Sequence, residues 1–416
     1  MSEECCTLSH TIDKHTAPMS YSIFENSETP PQQHYFDVLR FSYDNLASEA
    51  LEQLLKSSTA SKGLYPRLAE RKKSDTALKE FWDQATYIPP WVDWAKVRRG
   101  QIVFNRYILP IALGFAFQGF AGEIAAAVGP AEVLVRAGGL SRNHIHQRIA
   151  RTLQWLMDVT ESLPSIQPGG KWHASTIEIR LLHARVRRRI AEAARSRPEY
   201  YDSARHGVPI NAHDMILTLT FFCCKPIWAQ FPRLWIHPRA NEIEDFVALW
   251  RYLAHLLGVP NEHFASAAMA KQTMDMLDQR KKVQCEASQH ITHAFLDAFA
   301  DRAPFKLSHG FLQAGIWAMN PVSTCVALEV PRPNIVHRTT FVSLKACTAL
   351  LVAAQKRVCF FDTMMQKVCS TPWSVVTMLT KYQVPQEEDP FWTLQQPGPL
   401  QSVTDRVQIS CDLSRR

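Results

Sequence analysis

The chain has 416 residues, 46% hydrophobic and 20% charged, with 46 Lys and Arg against 39 Asp and Glu for a formal charge of +7. That balance suits a globular protein with a substantial core. The small basic excess fits an anionic ligand or an acidic membrane surface, but no Lys/Arg block is dense enough for nucleic acid. Ten cysteines, scattered or directly adjacent as in Cys5-Cys6 and Cys223-Cys224, form neither a disulfide framework nor a CxxC site and indicate a reducing, intracellular compartment.

Residues 1–33 are rich in Ser, Thr, Pro and Glu and read as a flexible arm with no secretory h-region. Helical spacing begins at Phe36–Lys56 and Tyr65–Ala85, and Ile88-Pro89-Pro90-Trp91 is a stiff joint. The apolar stretch Tyr107–Val128 is long enough to cross a bilayer. Gln118, Glu123 and Pro110 within it favour a buried helix over a membrane hairpin or a span. Pro130 opens a helix that Gly138-Gly139 closes. Amphipathic helices follow over Ser141–Ser162 and Ser175–Ala194, separated by the Pro168-Gly169-Gly170 loop. After the turn Gly207-Val208-Pro209-Ile210-Asn211 come helices to Cys224 and over Asn241–Leu257, His263–Arg280, Val283–Ala300 and Phe341–Phe361. No repeat, alternating β pattern or glycine-rich phosphate loop is present. The expectation is an all-α fold, one helical domain over 34–385, and a polar tail over 386–416.

The Ser175–Ala194 helix carries the most chemistry. At about 100° per residue, His183 shares a face with Ile179, Val186 and Ile190, and Arg180 and Arg187 stand side by side on its edge. Burying that face carries the histidine inward, and two bordering arginines would be costly without anions. A haem meets both demands: iron takes a neutral imidazole, the macrocycle covers the aliphatic stripe, and two propionates engage the arginines. A satisfied core histidine, with arginines paired to carboxylates, is the commoner arrangement of such a pattern. On Ser141–Ser162, Arg148 and Thr152 lie one turn apart beside Ile145, Ile149 and Trp155. They could hold oxygen or another polarised group, or form an interhelical ion pair and a packed threonine. Glu132, in the first turn after Pro130, is explained by the helix dipole alone. Cys223-Cys224 reads as inert packing.

Several runs, in order, resemble the catalytic domain shared by rubber oxygenases (latex-clearing proteins) and the mpaB-type oxygenases. They are Trp91-Val92-Asp93-Trp94, Arg99-Gly100-Gln101 with Phe104, and Glu132-Val133-Leu134-Val135-Arg136-Ala137-Gly138-Gly139. Arg148–Thr152, Arg180-Leu181-Leu182-His183-Ala184-Arg185-Val186-Arg187, the Gly207–Met215 turn and Leu249–Gly258 continue the set, which covers roughly residues 85 to 300.

The resemblance implies a globin-like helical core with non-covalent haem b. In that family the histidine of the arginine-rich run is the proximal iron ligand, here His183. Its arginines, here Arg180 and Arg187, keep haem bound. The distal-side glutamate, arginine and threonine fall on Glu132, Arg148 and Thr152. The implied activity is a haem-dependent oxygenase or oxidase using O2 on a hydrophobic prenyl, terpenoid or polyketide-type molecule, in secondary metabolism. A non-catalytic haem or lipid carrier and a cofactor-free helical accessory protein are the other readings. His255 stands where related sequences carry an aromatic residue, and is either a distal ligand or a helix-surface histidine. No N-terminal anchor of the mpaB type is visible, so the expected location is cytoplasmic or peripheral on the ER membrane. The oligomeric state is open.

Overall fold

The computed structural model describes residues 31–56, 63–124, 127–137, 142–279, 286–301 and 306–370; at 31–34, 124, 142–148, 150, 286, 287 and 368–370 it describes the backbone alone. Among the described residues all regular structure is helical, as the sequence implies. Most of the arm 1–33 and the whole tail 386–416 lie outside the described residues.

The N-terminal layer comprises α1 (Pro31–Leu39), α2 (Asn45–Leu55), α3 (Leu64–Arg71) and α4 (Thr76–Thr86). Asp44 and Asp75 cap α2 and α4 by accepting from backbone N–H groups of the first turn. Alanines and leucines of α2, with Leu64, Leu68, Leu78 and Phe81, form a small core closed by Ile177, Leu181 and Ala184. The Pro89-Pro90 joint closes as a turn, with Val92 N–H donating to the Pro89 carbonyl at 3.0 Å, and leads into α5 (Trp94–Arg106), capped by Asp93.

The long apolar stretch turns away from α5 by 72°. It runs as α6 (Ile108–Gly114) and then as a π-helical segment over Phe115–Ile124. Its polar residues explain why it sits inside the protein. Glu123 is buried against Lys225 at 3.0 Å, and Lys225 Nζ also donates to Asp278 at 2.7 Å. The wide π turns leave carbonyls for side-chain donors: Asn320 Nδ2 reaches Phe117 O at 2.8 Å and Thr292 Oγ1 reaches Ala121 O at 3.1 Å. The π segment is invisible to a 3.6-residue period.

The remaining helices include the expected ones in order, with short helices and those over His309–Met319 and Val322–Ala327 added. The expected Phe341–Phe361 helix runs instead as Ile335–Arg357, with a separate helix after it. They are α7 (Val128–Arg136), α8 (Arg142–Val159), α9 (Leu163–Ile166), α10 (Lys171–Ser196), α11 (Ser203–His206), α12 (Ala212–Lys225) and α13 (Phe231–Arg233). Then come α14 (Ala240–Leu256), α15 (Ala267–Gln279), α16 (Glu286–Phe299), α17 (His309–Met319), α18 (Val322–Ala327), α19 (Ile335–Arg357) and α20 (Cys359–Ser370). The main core gathers aromatic and aliphatic side chains from α5, α12, α14 and the later helices. The most extensive helix pairing is α5 with α14. Cys223 and Cys224 are buried in α12, and burial raises the Cys223 thiol pKa, so packing is their role here.

A candidate cofactor site on helix α10

Helix α10 divides the molecule because each of its faces meets a different neighbour. Ile177, Leu181 and Ala184 close the N-terminal layer. Leu182, Val186 and Ile190 pack with Tyr200 and Tyr201, against Val133 and Ala137 of the α7 end. Between these two apolar faces, Arg180, His183 and Arg187 point into a cavity of about 190 Å³. Its walls come from Leu39, Tyr43 and Asp44, from Asn211 and Met215 of the α12 start, and from Leu257 and Gly258 after α14. A second lobe of about 330 Å³ shares Tyr43, Asp44, Arg180, Gly258 and Pro260. The Arg180–Asp44 pair therefore stands where the two lobes meet.

His183 is deep in the molecule yet keeps accessible surface, because it lines this cavity. Its Nδ1 is buried without a hydrogen-bond partner. Nε2 has no described partner either and is not among the enclosed unpaired atoms, which leaves it open to the cavity. Desolvation, reinforced by the Arg187 guanidinium and opposed by Asp44, pushes the His183 pKa down to about 4. The ring is thus a neutral imidazole near pH 7, the form that ligates iron.

The same shift has a consequence for stability. Between pH about 6.5 and about 4 the unfolded chain binds a proton at this position that the folded chain excludes. Stability from His183 is full above the unfolded value and is lost as pH falls through this window, on the order of 3 kcal/mol in all. Urea midpoints of ligand-free protein should fall across that range, and His183→Leu should flatten part of the fall. Parallel curves for the two proteins would contradict it.

The arginines differ in how they are held. Arg180, 3% exposed, donates Nε to Asp44 Oδ2 at 2.5 Å and Nη2 to Asp44 Oδ1 at 3.1 Å, with Nη1 on Gln84 Oε1 and Phe81 beneath the guanidinium. Arg187, 6% exposed, reaches only uncharged acceptors: Pro209 O at 3.2 Å, Ile210 O at 3.0 Å and Ser48 Oγ at 2.8 Å. No carboxylate among the described residues pairs with it, and burial lowers its pKa. Ile210 holds φ 54, which turns its carbonyl for this contact to serve. Gly258 has φ +68, and a Cβ there would collide with Arg180 Nε and Asp44 Oδ2. The Leu256-Leu257-Gly258 run ends in glycine because the ion pair fills that space.

These residues suit a haem in their donor chemistry. A neutral imidazole has a nitrogen open to the cavity, and a buried guanidinium beside it lacks an anion. Asp44 already occupies part of what a propionate would take on Arg180. Sequence reading missed Tyr43, Asp44 and Ser48, which lie outside the family-like run. The one available signal was Asp44 as a helix cap, which predicts local structure only.

Of the other expected site residues, Glu132 and Thr152 do not line this cavity. Glu132 pairs with Arg136 one turn away at 3.1 Å, and its charge acts on Tyr201 and His206. Tyr201 Oη and His213 Nε2 are buried without hydrogen-bond partners, and the charge of Asp214, 3.1 Å from His213 Nδ1, acts on Tyr201. Thr152 is half-buried on α8. Arg148 belongs to the same helix, and its side chain lies outside the described residues, as do those of His144 and His146. His255 is neither exposed nor facing His183. It is a buried core histidine with Nε2 3.1 Å from Tyr87 O and its ring edge-on to Trp91. It borders the outer lobe only.

The structure thus sets one open, neutral histidine between two buried arginines on a helix of an all-helical fold. Residues 106–353 match the family described as ER-bound oxygenase mpaB/B'/Rubber oxygenase, catalytic domain, and the chain belongs to that family. The match begins after the Trp91–Phe104 runs of the expected 85 to 300 stretch and reaches further toward the C-terminus, so that it takes in α17, α18 and most of α19. The chain is 26% identical over 210 residues to the rubber oxygenase of Streptomyces sp. (strain K30), a match spanning 48% of this chain and 48% of that protein. The chain thus matches about half the length of that relative. A solved structure of a latex clearing protein in its closed state superposes with a TM-score of 0.59 at 18% identity, over 76% of this chain and 84% of that one. That likeness establishes the shared helical fold.

Proposed function

We propose that the protein is a haem b-dependent oxygenase acting with O2 on a hydrophobic small molecule of prenyl, terpenoid or polyketide type, in secondary metabolism. One observation carries the reading: in a chain of an oxygenase family, the imidazole of His183 is neutral, unpaired and open to a buried cavity between two guanidiniums. His183 would hold the iron, and Arg180 and Arg187 the propionates. The haem would supply oxygen activation; the chain supplies position and a dry surround. Glu132 is proposed to hold and move a proton, and Arg148 and Thr152 to donate hydrogen bonds toward oxygen. Arg136, in ion-pair contact with Glu132, would orient that carboxylate.

The full pairing of Arg180 by Asp44 and Gln84 supports a second reading, a cofactor-free helical protein whose arginines are structural. Purified protein reconstituted with haemin separates the two. A Soret band with close to one iron per chain is expected, and a chain that takes up no haem excludes the oxygenase and any haem carrier. Oxygen consumption with apolar prenyl or terpenoid substrates should then drop by about 10²-fold or more in Glu132→Gln while the Soret band stays. Unchanged turnover in that variant removes Glu132 from the reaction.

A further inference from the structure

Helix α19 carries a surface that the cofactor site does not use. It is long and apolar enough to cross a membrane, yet it does not lie free: Phe341, Thr348, Val352 and Gln355 face inward, and α17 is its main neighbour. The opposite face runs Ile335, Thr339, Val342, Ser343, Ala346, Cys347 and Leu350, at helical spacing and without a charge. Ile335 is 67% exposed and Leu350 71%, values an ordinary surface helix reserves for polar side chains. Other apolar side chains are exposed on the flanking helices. Val322 and Val326 stand out from α18, and Phe360, 79% exposed, and Met364 stand out from α20.

Charge identifies the occupant. Residues 330–370 contain one carboxylate, Asp362, and it is buried in a bidentate pair with Arg106. Glu329, just before this stretch, accepts from Gln289 Nε2. Cations sit at both ends of the apolar face, with Arg332 and Arg338 at one end and Arg357 at the other. A second copy of the chain docked by a two-fold axis would bring these like-charged ends together, which opposes self-association. An anionic lipid surface complements the arrangement: the uncharged face sinks to the acyl boundary and the flanking cations reach headgroup phosphates.

We infer that the outer face of α19, with the exposed start of α20 packed beside it, is a membrane-docking surface selective for anionic bilayers. It holds the protein on the bilayer with α19 in the membrane plane, and it is independent of the haem reading.

Flotation of the full chain with vesicles tests this. Phosphatidylcholine vesicles containing phosphatidylserine should carry the protein, pure phosphatidylcholine vesicles should carry far less, and raised salt should weaken the association. Val342→Glu with Leu350→Glu, both at exposed positions, should reduce binding more than tenfold and leave the circular dichroism and melting temperature unchanged. Phe360→Ser should reduce it by a smaller factor. Absence of binding to anionic vesicles overturns the inference, as does full binding by the double variant. A concentration-dependent dimer in sedimentation that the same double variant abolishes would assign the face to a second copy. Binding that appears only after removal of 371–416 would assign it to the chain's own C-terminal segment. Either result rejects the bilayer as occupant.

Discussion

His183→Ala is expected to abolish haem retention, leaving a folded protein without a Soret band after reconstitution and desalting. The argument rests on the ring being neutral and unpaired within a cavity, since a histidine satisfied by the protein would lose only packing. Alanine removes the sole nitrogen ligand that α10 offers to the cavity, and neither arginine can replace it because a guanidinium has no lone pair to give. His183→Leu is the companion variant, because it fills the volume and keeps the apolar contacts while also lacking the nitrogen. Both should fail to load haem, whereas free imidazole in the buffer should partly restore the spectrum of His183→Ala alone. Arg187→Ala should load but bind more weakly, by roughly tenfold to a hundredfold for one charge-assisted hydrogen bond. Equal loading by wild type and both His183 variants would place the ligand elsewhere.

How much of this was legible in the sequence depends on the range of each interaction. The helices over Ala240–Leu256, Ala267–Gln279 and Glu286–Phe299 follow their hydrophobic period, and Asn211 caps where the pattern places a start. The inward direction of His183 also follows from the period, since a helix fixes the angle of every residue once one face is buried. The partners of the arginines did not follow. Asp44 lies 136 residues from Arg180, and Ser48 lies 139 from Arg187. No local spacing records contacts of that kind, so the arginines were assigned to propionates without their protein acceptors. His255 failed for a related reason. Its position looked like a helix surface or an iron site, but the Tyr87 carbonyl arrives from the Pro89-Pro90 joint and makes it a core residue. The resemblance supplied Glu132, Arg148 and Thr152, whereas periodicity alone explained each by capping or packing. Their proposed roles accordingly rest on family order rather than on the cavity around His183.

Gly100→Ala should destabilise the protein by about 3 kcal/mol, the upper part of the usual range for overpacking a rigid contact. Gly100 lies in α5 where it crosses α14, and a Cβ there would collide with the Asp245 carbonyl oxygen and come within 2.8 Å of Leu249 Cβ and 3.1 Å of the Asp245 carbonyl carbon. These are backbone and Cβ atoms, so no side-chain rotation relieves the clash, and the helices must separate. Separation also strains the bidentate contact from Arg99 to Asp245, at 2.8 and 2.9 Å on the same side of the crossing. Against this, alanine in a helix gains about 1 kcal/mol over glycine through backbone entropy, which is too little to change the sign. Gly119 provides the control, because a Cβ there meets only Phe115 Cδ2 at 3.6 Å and the Gly114 carbonyl at 3.8 Å, ordinary contact distances. Gly119→Ala should therefore stay within about 1 kcal/mol of wild type, on the stabilising side. Thermal melts of the two variants read the difference directly: a drop of roughly 3–5 °C for Gly100→Ala and little change for Gly119→Ala. Equal melting temperatures for the two would mean that α5 and α14 do not meet at this glycine, and the wall that α14 and Gly258 give to the His183 cavity would have to be placed differently.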